Sequence, residues 1–298
     1  MSSLDRRSLL KGMAAAGASA VAGTAALATG ASAAGPAVDA GSTLGLLFDA
    51  TRCIGCKACM VACREANDVA YADANALHDD SADLSANTLN VIKLYSNGDD
   101  EFAFMKMQCM HCIDPACAAA CMFGALQKRE GGIVSWNGDA CTGCRYCQIA
   151  CPFNVPRFEW ASRNPRVMKC ELCRHRVVEG GVPACAEVCP RDAVVYGRRD
   201  DLLAEARQRM RANPGAYYPK IYGEYDGGGT QVLYIAPVEP EKLGLPKLGE
   251  AGVPELVRGV QGAIYKGFAA PVALYAIMGV AIARNHRKEQ AQVQKEDV

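Results

Sequence analysis

The densest group of cysteines in the sequence is CTGCRYCQIACP, which begins at Cys141 and holds four thiols within eleven residues. Disulfides explain this spacing poorly, because two cysteines three residues apart in a tight loop rarely reach the Cβ geometry of a disulfide. Metal binding is the better interpretation. The spacing C-x2-C-x2-C-x3-C-P is typical of loops that hold cubane [4Fe-4S] clusters, whereas zinc sites usually use C-x2-C pairs set well apart. The segment therefore predicts half of a two-cluster iron-sulfur site.

All sixteen cysteines of the chain fall into quartets, and none is left over. The first and third quartets match as CIGCKACMVAC and CTGCRYCQIAC, and the second and fourth match through DPACAAACMFGAL and VPACAEVCPRDAV. Self-similarity of this kind indicates duplicated structure. In chain order the quartets are Cys53, Cys56, Cys59 and Cys63; Cys109, Cys112, Cys117 and Cys121; Cys141, Cys144, Cys147 and Cys151; and Cys170, Cys173, Cys185 and Cys189.

The pairing of the quartets follows from the way ferredoxin loops share their ligands. The first three cysteines of a run bind one cluster, and the fourth binds the neighbouring cluster. The segment GALQKREGGIVSWNGDA predicts two short strands around a turn at 130–132, as expected inside one two-cluster unit, so that quartets two and three pair. Quartets one and four then pair by elimination.

This pairing predicts four ligand sets, each numbered for the [4Fe-4S] cluster that it would hold. Zinc at every quartet is the alternative, and it is disfavoured because two complete ferredoxin runs are present. The sets are Cys53, Cys56, Cys59 and Cys189 (set 1); Cys170, Cys173, Cys185 and Cys63 (set 2); Cys109, Cys112, Cys117 and Cys151 (set 3); and Cys141, Cys144, Cys147 and Cys121 (set 4).

The composition suits a folded chain of one or two domains without a catalytic site of its own. The chain has 298 residues, 50% of them hydrophobic, and 32 basic side chains balance 32 acidic ones, so its charge indicates no nucleic-acid partner. No phosphate-binding loop and no activated nucleophile is recognisable in the sequence. Substrate chemistry is therefore expected in another subunit, and the clusters are expected to form part of the core.

The elements that must position these cysteines form an α+β fold. We expect two bacterial ferredoxin-like two-cluster modules, related by internal duplication, and one C-terminal transmembrane helix. The first module is discontinuous because the second is inserted into it. The predicted boundaries are 44–100 with 160–245 for the first module, 101–159 for the second, 246–258 for a linker, 259–284 for the transmembrane helix and 285–298 for a cytoplasmic tail.

Residues 1–33 have the features of a twin-arginine export signal. Arg6 and Arg7 precede a weakly apolar Ala/Gly stretch, and 31–33 (Ala-Ser-Ala) fits a cleavage site. A chance arginine pair in a disordered terminus is the alternative. Twin-arginine export carries folded proteins, so clusters assembled in the reducing cytoplasm can reach the periplasm, where this many free cysteines would otherwise indicate disulfides.

The C-terminal region contains an uncharged segment, Gly267–Ala283, followed by basic residues. Seventeen helical residues span about 25 Å, which is the short limit for crossing a bilayer. The basic residues predict a cytoplasmic C-terminus, and hence a protein anchored on the periplasmic face of the cytoplasmic membrane. A buried soluble helix is the alternative, since Pro271 and the short length weaken the prediction.

Several stretches outside the cysteine spacing carry a family resemblance: QCMHCIDPAC, KCELC, YGEYDGGGTQVLY, LGLPKL and IYKGFAAP. They resemble the iron-sulfur electron-transfer subunits of molybdopterin oxidoreductase and membrane-bound hydrogenase complexes, and most of all those of periplasmic [NiFe] hydrogenases of the hydrogenase-2 type. The formate dehydrogenase beta subunit is the runner-up. Met122 and Arg64 depart from the family pattern, which usually has proline after the fourth cysteine of the run. The resemblance implies large and small hydrogenase subunits and a quinone-reactive integral membrane subunit as partners.

The chain is accordingly predicted to relay electrons between a catalytic subunit pair and a membrane quinone site. A polyferredoxin that shuttles in solution is a competing class, against which the membrane segment argues. A zinc-stabilised interaction scaffold is another, and metal analysis separates it from the relay. Lys57 and Arg145 occupy matching positions in the first and third quartets, where their charge either raises reduction potentials or is simply solvated.

Overall fold

The computed structural model describes residues 43–69, 83–98, 101–160, 162 and 165–296. The predicted export signal, residues 1–33, lies outside this range. Short helices and short strands alternate along the described chain, which confirms the predicted α+β class. The strands are Leu44–Asp49 (β1), Val91–Ser96 (β2), Phe102–Met107 (β3), Leu126–Lys128 (β4), Val134–Trp136 (β5), Arg157–Phe158 (β6), Val167–Met168 (β7), Val194–Arg198 (β8) and Val232–Ile235 (β9).

Most of the helices are short and follow a cysteine loop. The exceptions are a surface helix near residue 200 and a long C-terminal helix. The helices are Ala58–Ala66 (α1), Ala116–Ala119 (α2), Tyr146–Ala150 (α3), Arg174–Val178 (α4), Ala184–Glu187 (α5), Arg199–Ala212 (α6) and Val253–Glu296 (α7).

Strand β1 is the centre of a three-stranded sheet in the order β8, β1, β9. It pairs antiparallel with β8, where Leu46 faces Tyr196, and parallel with β9, where Leu46 faces Val232. Because β1 leads into quartet one and β8 leaves quartet four, the sheet brings the two ends of the chain's cysteine region together. The remaining strands form two-stranded ladders β2–β3, β4–β5 and β6–β7.

The predicted hairpin between quartets two and three is confirmed. Strands β4 and β5 pair antiparallel, with Leu126 opposite Trp136, and the turn between them runs through Glu130–Gly132. Gly131 and Gly132 have φ of 69° and 78°, a left-handed conformation that glycine adopts at little cost. The hairpin holds helices α2 and α3, and therefore quartets two and three, side by side.

Helices α1 and α3 begin in the same way. In each loop a glycine two residues after the first cysteine is left-handed, Gly55 at φ 68° and Gly143 at φ 73°. The residue just before each helix is also left-handed, Lys57 at φ 57° and Arg145 at φ 65°. These turns reverse the chain tightly, so that the first three cysteines of each run face a common centre.

Two hydrophobic clusters lie on opposite faces of β1, as alternation along a strand requires. Leu46 and Phe48 face the main cluster, while Leu47 faces a second cluster formed with Leu202 and Leu203 of α6. Cysteines of several quartets belong to the main cluster, so that the predicted ligands are part of the core rather than an addition to it; they include Cys59, Cys109, Cys170 and Cys185.

The triple-glycine segment Gly227–Gly229 packs against the same chain. Its three residues have φ of 63°, 83° and 84°. A Cβ on Gly228 would lie 2.9 Å from the Cα of Gly252, and a Cβ on Gly229 would lie 2.8 Å from Cδ1 of Ile113. The segment is therefore packed closely within the chain, at positions where a side chain would not fit.

Helix α7 is longer than predicted. It begins at Val253, inside the expected linker 246–258, and continues through the expected tail to Glu296. Arg258 in its second turn pairs with Asp114 at 2.7 Å, which attaches the start of the helix to quartet two. The side chains between 271 and 287 are exposed.

The predicted transmembrane helix at 259–284 is not found. In the part of the chain that the structure describes, no helix combines the length and the apolar character needed to cross a membrane.

Candidate iron-sulfur centres

The sixteen cysteines carry free thiols, of which eight are buried, six are partly buried and two are exposed. Cys56 and Cys144 are the exposed members, one in each complete ferredoxin run. Within the described residues, no three His, Cys, Asp or Glu side chains are arranged to hold a single metal ion. The thiols are therefore unpaired, and the surrounding chain can shield a bound group from water.

Set 1 lines a small cavity, and all four of its predicted members, Cys53, Cys56, Cys59 and Cys189, are in the wall. The rest of the wall is mainly apolar and includes Phe48, Ile92 and Val194. Burial raises the pKa of the Cys53 thiol, and the charges of Cys189 and Cys56 raise it further, against a backbone hydrogen bond from Gly55 that lowers it. The structure thus brings these thiols around one apolar space.

Set 4 lines a second small cavity, whose wall includes Cys121, Cys141, Cys144 and Cys147. Trp136 lines the same cavity, and its buried indole N–H has no hydrogen-bond partner among the described residues. The backbone N–H of Ala125 donates to Sγ of Cys121 at 3.2 Å. A buried donor without an acceptor is costly, so the wall fits an occupant that accepts hydrogen bonds.

The members of set 3 lie close enough for their charges to interact. Burial raises the pKa of the Cys112 thiol well above its usual value, and the charges of Cys109, Cys117 and Cys151 raise it further. Cys151 closes quartet three and comes from the loop after α3, whereas the other three belong to quartet two. The structure therefore brings Cys151 to the quartet-two cysteines, across the β4–β5 hairpin.

The members of set 2 come from both ends of the cysteine region. Burial raises the pKa of the Cys63 thiol to about 11; Lys106 opposes this effect, and Cys185 and Cys173 add to it. Burial also raises the pKa of Cys170 well above its usual value, followed by the charges of Cys63 and Cys185. Cys63 on α1 thus faces the quartet-four thiols.

Three thiols have a pKa that is raised by burial and, further, by the charge of a cysteine in a neighbouring set. One pair of thiols couples set 1 to set 2, another couples set 2 to set 3, and a third couples set 3 to set 4. These contributions indicate the order 1, 2, 3, 4, in which the sets with an exposed cysteine, 1 and 4, are the first and the last. The coupled pairs are Cys59 with Cys185, Cys170 with Cys109, and Cys117 with Cys147.

The donor chemistry of the sets fits [4Fe-4S] clusters. Each set offers four thiols, which are the ligands that such clusters take. Burial raises the pKa of Cys59 and of Cys117 to about 12, so these thiols are protonated at neutral pH until iron displaces the proton. Backbone N–H groups also point at the sulfurs, as Leu172 does toward Sγ of Cys170 at 3.3 Å.

Sequence reasoning missed two lysines beside the thiols. Lys106 on β3 and Lys169, just before quartet four, are both buried. Their signal in the sequence was a lysine inside an otherwise apolar strand, FAFMKM, and a lysine directly before a ligand cysteine. Two other cations occupy matching positions in the first and third quartets. Lys57 precedes α1, and Arg145 stacks on Trp160 with its guanidinium carbon 4.0 Å from the ring centre.

Comparison with known proteins assigns the family. Two family models, each described as a 4Fe-4S dicluster domain, match this chain. One matches residues 101–199 and the other matches residues 52–125. The hydrogenase-2 operon protein HybA of Escherichia coli and of Shigella flexneri is 37% identical over 285 residues, which cover 83% of this chain and 86% of that protein. This chain belongs to the same iron-sulfur family. The iron-sulfur family includes electron-transfer subunits of the hydrogenase-2 and formate dehydrogenase types, so the predicted resemblance is confirmed.

Formate dehydrogenase subunits are further members of the iron-sulfur family. The iron-sulfur subunit of the nitrate-inducible formate dehydrogenase of Escherichia coli is 40% identical over 212 residues, covering 67% of this chain and 71% of that protein. The formate dehydrogenase iron-sulfur subunit of Haemophilus influenzae is 36% identical over 256 residues, covering 80% of this chain and 77% of that protein. Both expected relatives are therefore found.

Proposed function

We propose that the chain relays electrons between the large and small subunits of a periplasmic [NiFe] hydrogenase and a quinone-reactive integral membrane subunit. The observation that carries the proposal is that the cysteines gather in sets, of which sets 1 and 4 each line one cavity and include an exposed cysteine. Each of sets 1 to 4 would hold one [4Fe-4S] cluster, which supplies one-electron transfer when bound. The chain itself contributes ligation, spacing and shielding from water, and no catalysis.

Exposed apolar side chains at both ends of the series support docking of two different partners. Ile54 lines the set 1 cavity and is 55% exposed, and Phe123 lines the set 4 cavity and is 53% exposed. Met122 and Ile149, which flank set 4 cysteines in sequence, are more exposed still. Apolar groups of this size on a surface commonly mark interaction sites.

The choice of hydrogenase over formate dehydrogenase rests on coverage. The match covers 83% of this chain and 86% of the hydrogenase-2 protein, against 80% and 77% for the formate dehydrogenase subunit of Haemophilus influenzae and 67% and 71% for that of Escherichia coli. The slightly higher identity of the latter, 40% against 37%, keeps formate dehydrogenase as the second candidate.

Internal duplication is also part of the proposal. The paired left-handed residues before α1 and α3 support it, and so do the proline residues Pro115 and Pro183 that immediately precede α2 and α5. The module boundaries at 101–159, and at 44–100 with 160–245, stay a prediction. These boundaries can be tested by replacing residues 101–159 with a short linker and measuring how many clusters the shortened chain retains.

Metal analysis tests the clusters. Protein purified without oxygen is expected to contain iron and acid-labile sulfide in equal amounts, about sixteen of each per chain. A variant with all four cysteines of set 4 changed to Ser is expected to retain about twelve of each. Zinc in stoichiometric amounts without sulfide would instead identify a zinc-stabilised scaffold.

A matched pair of substitutions tests the exchange of ligands between quartets. Cys151→Ser is expected to alter the EPR signal of the cluster held by set 3, because Cys151 faces Cys109, Cys112 and Cys117 in the folded chain. Cys147→Ser, four residues away, is expected to alter the signal of set 4 instead. If both variants alter the same cluster, ligation is local and the exchange is wrong.

The partners are tested in membranes from a strain that lacks this gene. Hydrogen-dependent quinone reduction is expected to disappear, while formate-dependent reduction continues at the parental rate. Restoring the gene controls for effects on neighbouring genes. The reverse pattern would replace the hydrogenase assignment with the formate dehydrogenase one.

We also propose that the chain is exported by the twin-arginine route and works on the periplasmic face of the cytoplasmic membrane. The support is the sequence of residues 1–33 and the expected membrane partner. Changing Arg6 and Arg7 together to Lys keeps the charge and is expected to leave the protein in the cytoplasm, as measured by cell fractionation. Export of this double variant at the parental level would contradict the route.

A further inference from the structure

Two lysines are buried among the cysteine sets. Lys106 is 1% exposed and Lys169 is 4% exposed, and the other lysines whose burial the structure describes are more accessible. Lys106 donates a hydrogen bond to the side chain of Gln108, and Lys169 donates to the carbonyls of Val134 and Cys170. Both ammonium groups therefore sit in the interior with neutral hydrogen-bond acceptors.

Neither lysine forms an ion pair with a carboxylate, although the charge of Glu171 acts on Lys169 from a longer distance. Arg209, a buried cation elsewhere in the chain, pairs with the carboxylate of Asp49 at 3.1 Å. Among the described residues, no carboxylate makes an ion pair with Lys106 or with Lys169. An isolated buried charge is costly, so a buried ammonium without a carboxylate requires another source of negative charge.

The thiolates supply that negative charge from both sides. The charge of Lys106 interacts with Cys59 of set 1 and with Cys185, Cys170 and Cys63 of set 2. The charge of Lys169 interacts with Cys109 of set 3, with the carboxylate of Glu171, and then with Cys117 of set 3 and Cys170 of set 2. The geometry agrees with these interactions: Lys106 lies opposite Ile92, which lines the set 1 cavity, and Lys169 donates to the carbonyl of Cys170 in set 2. The cluster of set 2 is therefore the one that both charges act on.

We propose that Lys106 and Lys169 are the built-in counter-ions of the cluster series, and that together they make the cluster of set 2 easier to reduce than its neighbours. The inference rests on the proposed electron-transfer function. Reduction adds one electron, supplied by the donor subunit, and so adds one negative charge to the cluster that receives it. A fixed positive charge stabilises the reduced form more than the oxidised form, and low local polarity strengthens this effect. An electron that enters the series is therefore expected to reside mainly on the cluster of set 2.

The test is the reduction potential of each cluster in the intact complex. Reductive titration followed by EPR gives these potentials, with the signal of set 2 identified through Cys185→Ser. In Lys106→Met, a change that removes the charge and keeps the length, the ratio of reduced to oxidised set 2 cluster at a fixed potential is expected to fall about tenfold, equivalent to about 59 mV for one electron. Set 1 is expected to change less, and set 4 is expected not to change.

Lys93→Met is the matched control, because Lys93 lies on β2 in the same hairpin, opposite Met105, with its side chain partly exposed. This variant is expected to leave the reduction potentials of all four clusters unchanged. Lys169→Met is expected to lower the potentials of sets 2 and 3. If Lys106→Met and Lys169→Met retain their iron and shift no cluster more than the control does, the inference is wrong.

A further variant covers the case in which Lys106→Met loses iron. Lys106→Arg keeps the positive charge, and retention of four clusters at parental potentials would support a role for charge. Loss of iron in Lys106→Arg as well, together with unchanged potentials in Lys169→Met, would overturn the inference. Failure of the proposed function is distinguishable, since it would show as a parental protein without iron or as unchanged hydrogen-dependent quinone reduction in the deletion strain.

Discussion

At the scale of single residues, Asp49 anchors the loop that leads from β1 to the first cysteine of quartet one. It ends β1, its side chain is fully buried, and Arg209 of α6 pairs with it at 3.1 Å. The hydroxyl of Tyr217 donates to its Oδ2 at 3.0 Å, and the backbone N–H of Thr51 donates to its Oδ1 at 3.0 Å. This carboxylate therefore ties α6 and the loop before Cys53 to the central strand.

The Asp49→Asn variant is expected to lower the free energy of unfolding by about 1.5–3 kcal/mol, because it removes the charged acceptor of Arg209, Tyr217 and Thr51 and leaves Glu205 as the carboxylate partner of Arg209. Asp201→Asn is the control: Asp201 faces Arg198 at 4.0 Å on the surface, and its loss is expected to cost less than about 1 kcal/mol. Denaturant unfolding of the cluster-loaded protein without oxygen, followed by far-UV circular dichroism, measures both. If the free energy of unfolding falls equally in the two variants, the buried ion pair stabilises the fold no more than the surface ion pair does.

At the scale of the elements, the left-handed glycines of the two ferredoxin runs differ in their surroundings. A Cβ on Gly55 would lie 2.3 Å from the ring of Phe104 on β3, whereas a Cβ on Gly143 would meet nothing within 4 Å. The set 1 loop is therefore packed against the β2–β3 hairpin, and the set 4 loop faces open space. Identical sequence patterns have thus been placed in different tertiary environments.

Gly143→Ala is expected to cost about 1 kcal/mol, because alanine has to adopt a left-handed conformation. Gly55→Ala has the same strain and must also displace the Phe104 ring, so it is expected to destabilise the protein more and to lose iron from set 1. Iron content and thermal unfolding, measured on both variants, separate the two effects. Gly98→Ala, in the turn of the β2–β3 hairpin at φ 91° with nothing within 4 Å, is the control for strain away from a cluster loop. Equal iron loss in all three variants would contradict this account.

At the scale of the whole molecule, the series of sets has two ends of similar character. Each end combines an exposed cysteine, a small cavity lined by cysteines and an exposed apolar side chain, Ile54 at set 1 and Phe123 at set 4. Because electrons must enter at one end and leave at the other, each end is expected to serve one partner.

Ile54→Glu and Phe123→Glu are expected to affect opposite half-reactions. Each adds a charge to an apolar docking surface, which is expected to slow electron exchange with one partner about tenfold, or about 1.4 kcal/mol. The rates to measure are reduction of the clusters by hydrogen through the catalytic subunits and their oxidation by quinone through the membrane subunit. Val178→Glu is the control, because Val178 is 75% exposed and borders neither cavity. Slowing of the same half-reaction by both variants would show that a single end serves both partners.

The sequence by itself determined the chemistry of this protein, because the binding of a cluster by cysteines is largely local. Three thiols within seven residues and a left-handed glycine between them are enough to predict the loop. The hairpin at 130–132 was predictable for the same reason, since a short turn between two apolar runs is a local signal. The family resemblance rested on stretches beside these loops, and comparison confirmed it.

Only the tertiary structure decided which groups surround the loops. Lys106 reaches the thiols because β3 packs beneath quartets that are distant in sequence, and no spacing in the sequence predicts that approach. The packing of Gly227–Gly229 against Gly252 and Ile113, and the start of α7 at Val253, likewise depend on long-range contacts. Local patterns specify a cysteine loop, whereas the serial order of the four sets and the charges between them arise only when distant segments pack together.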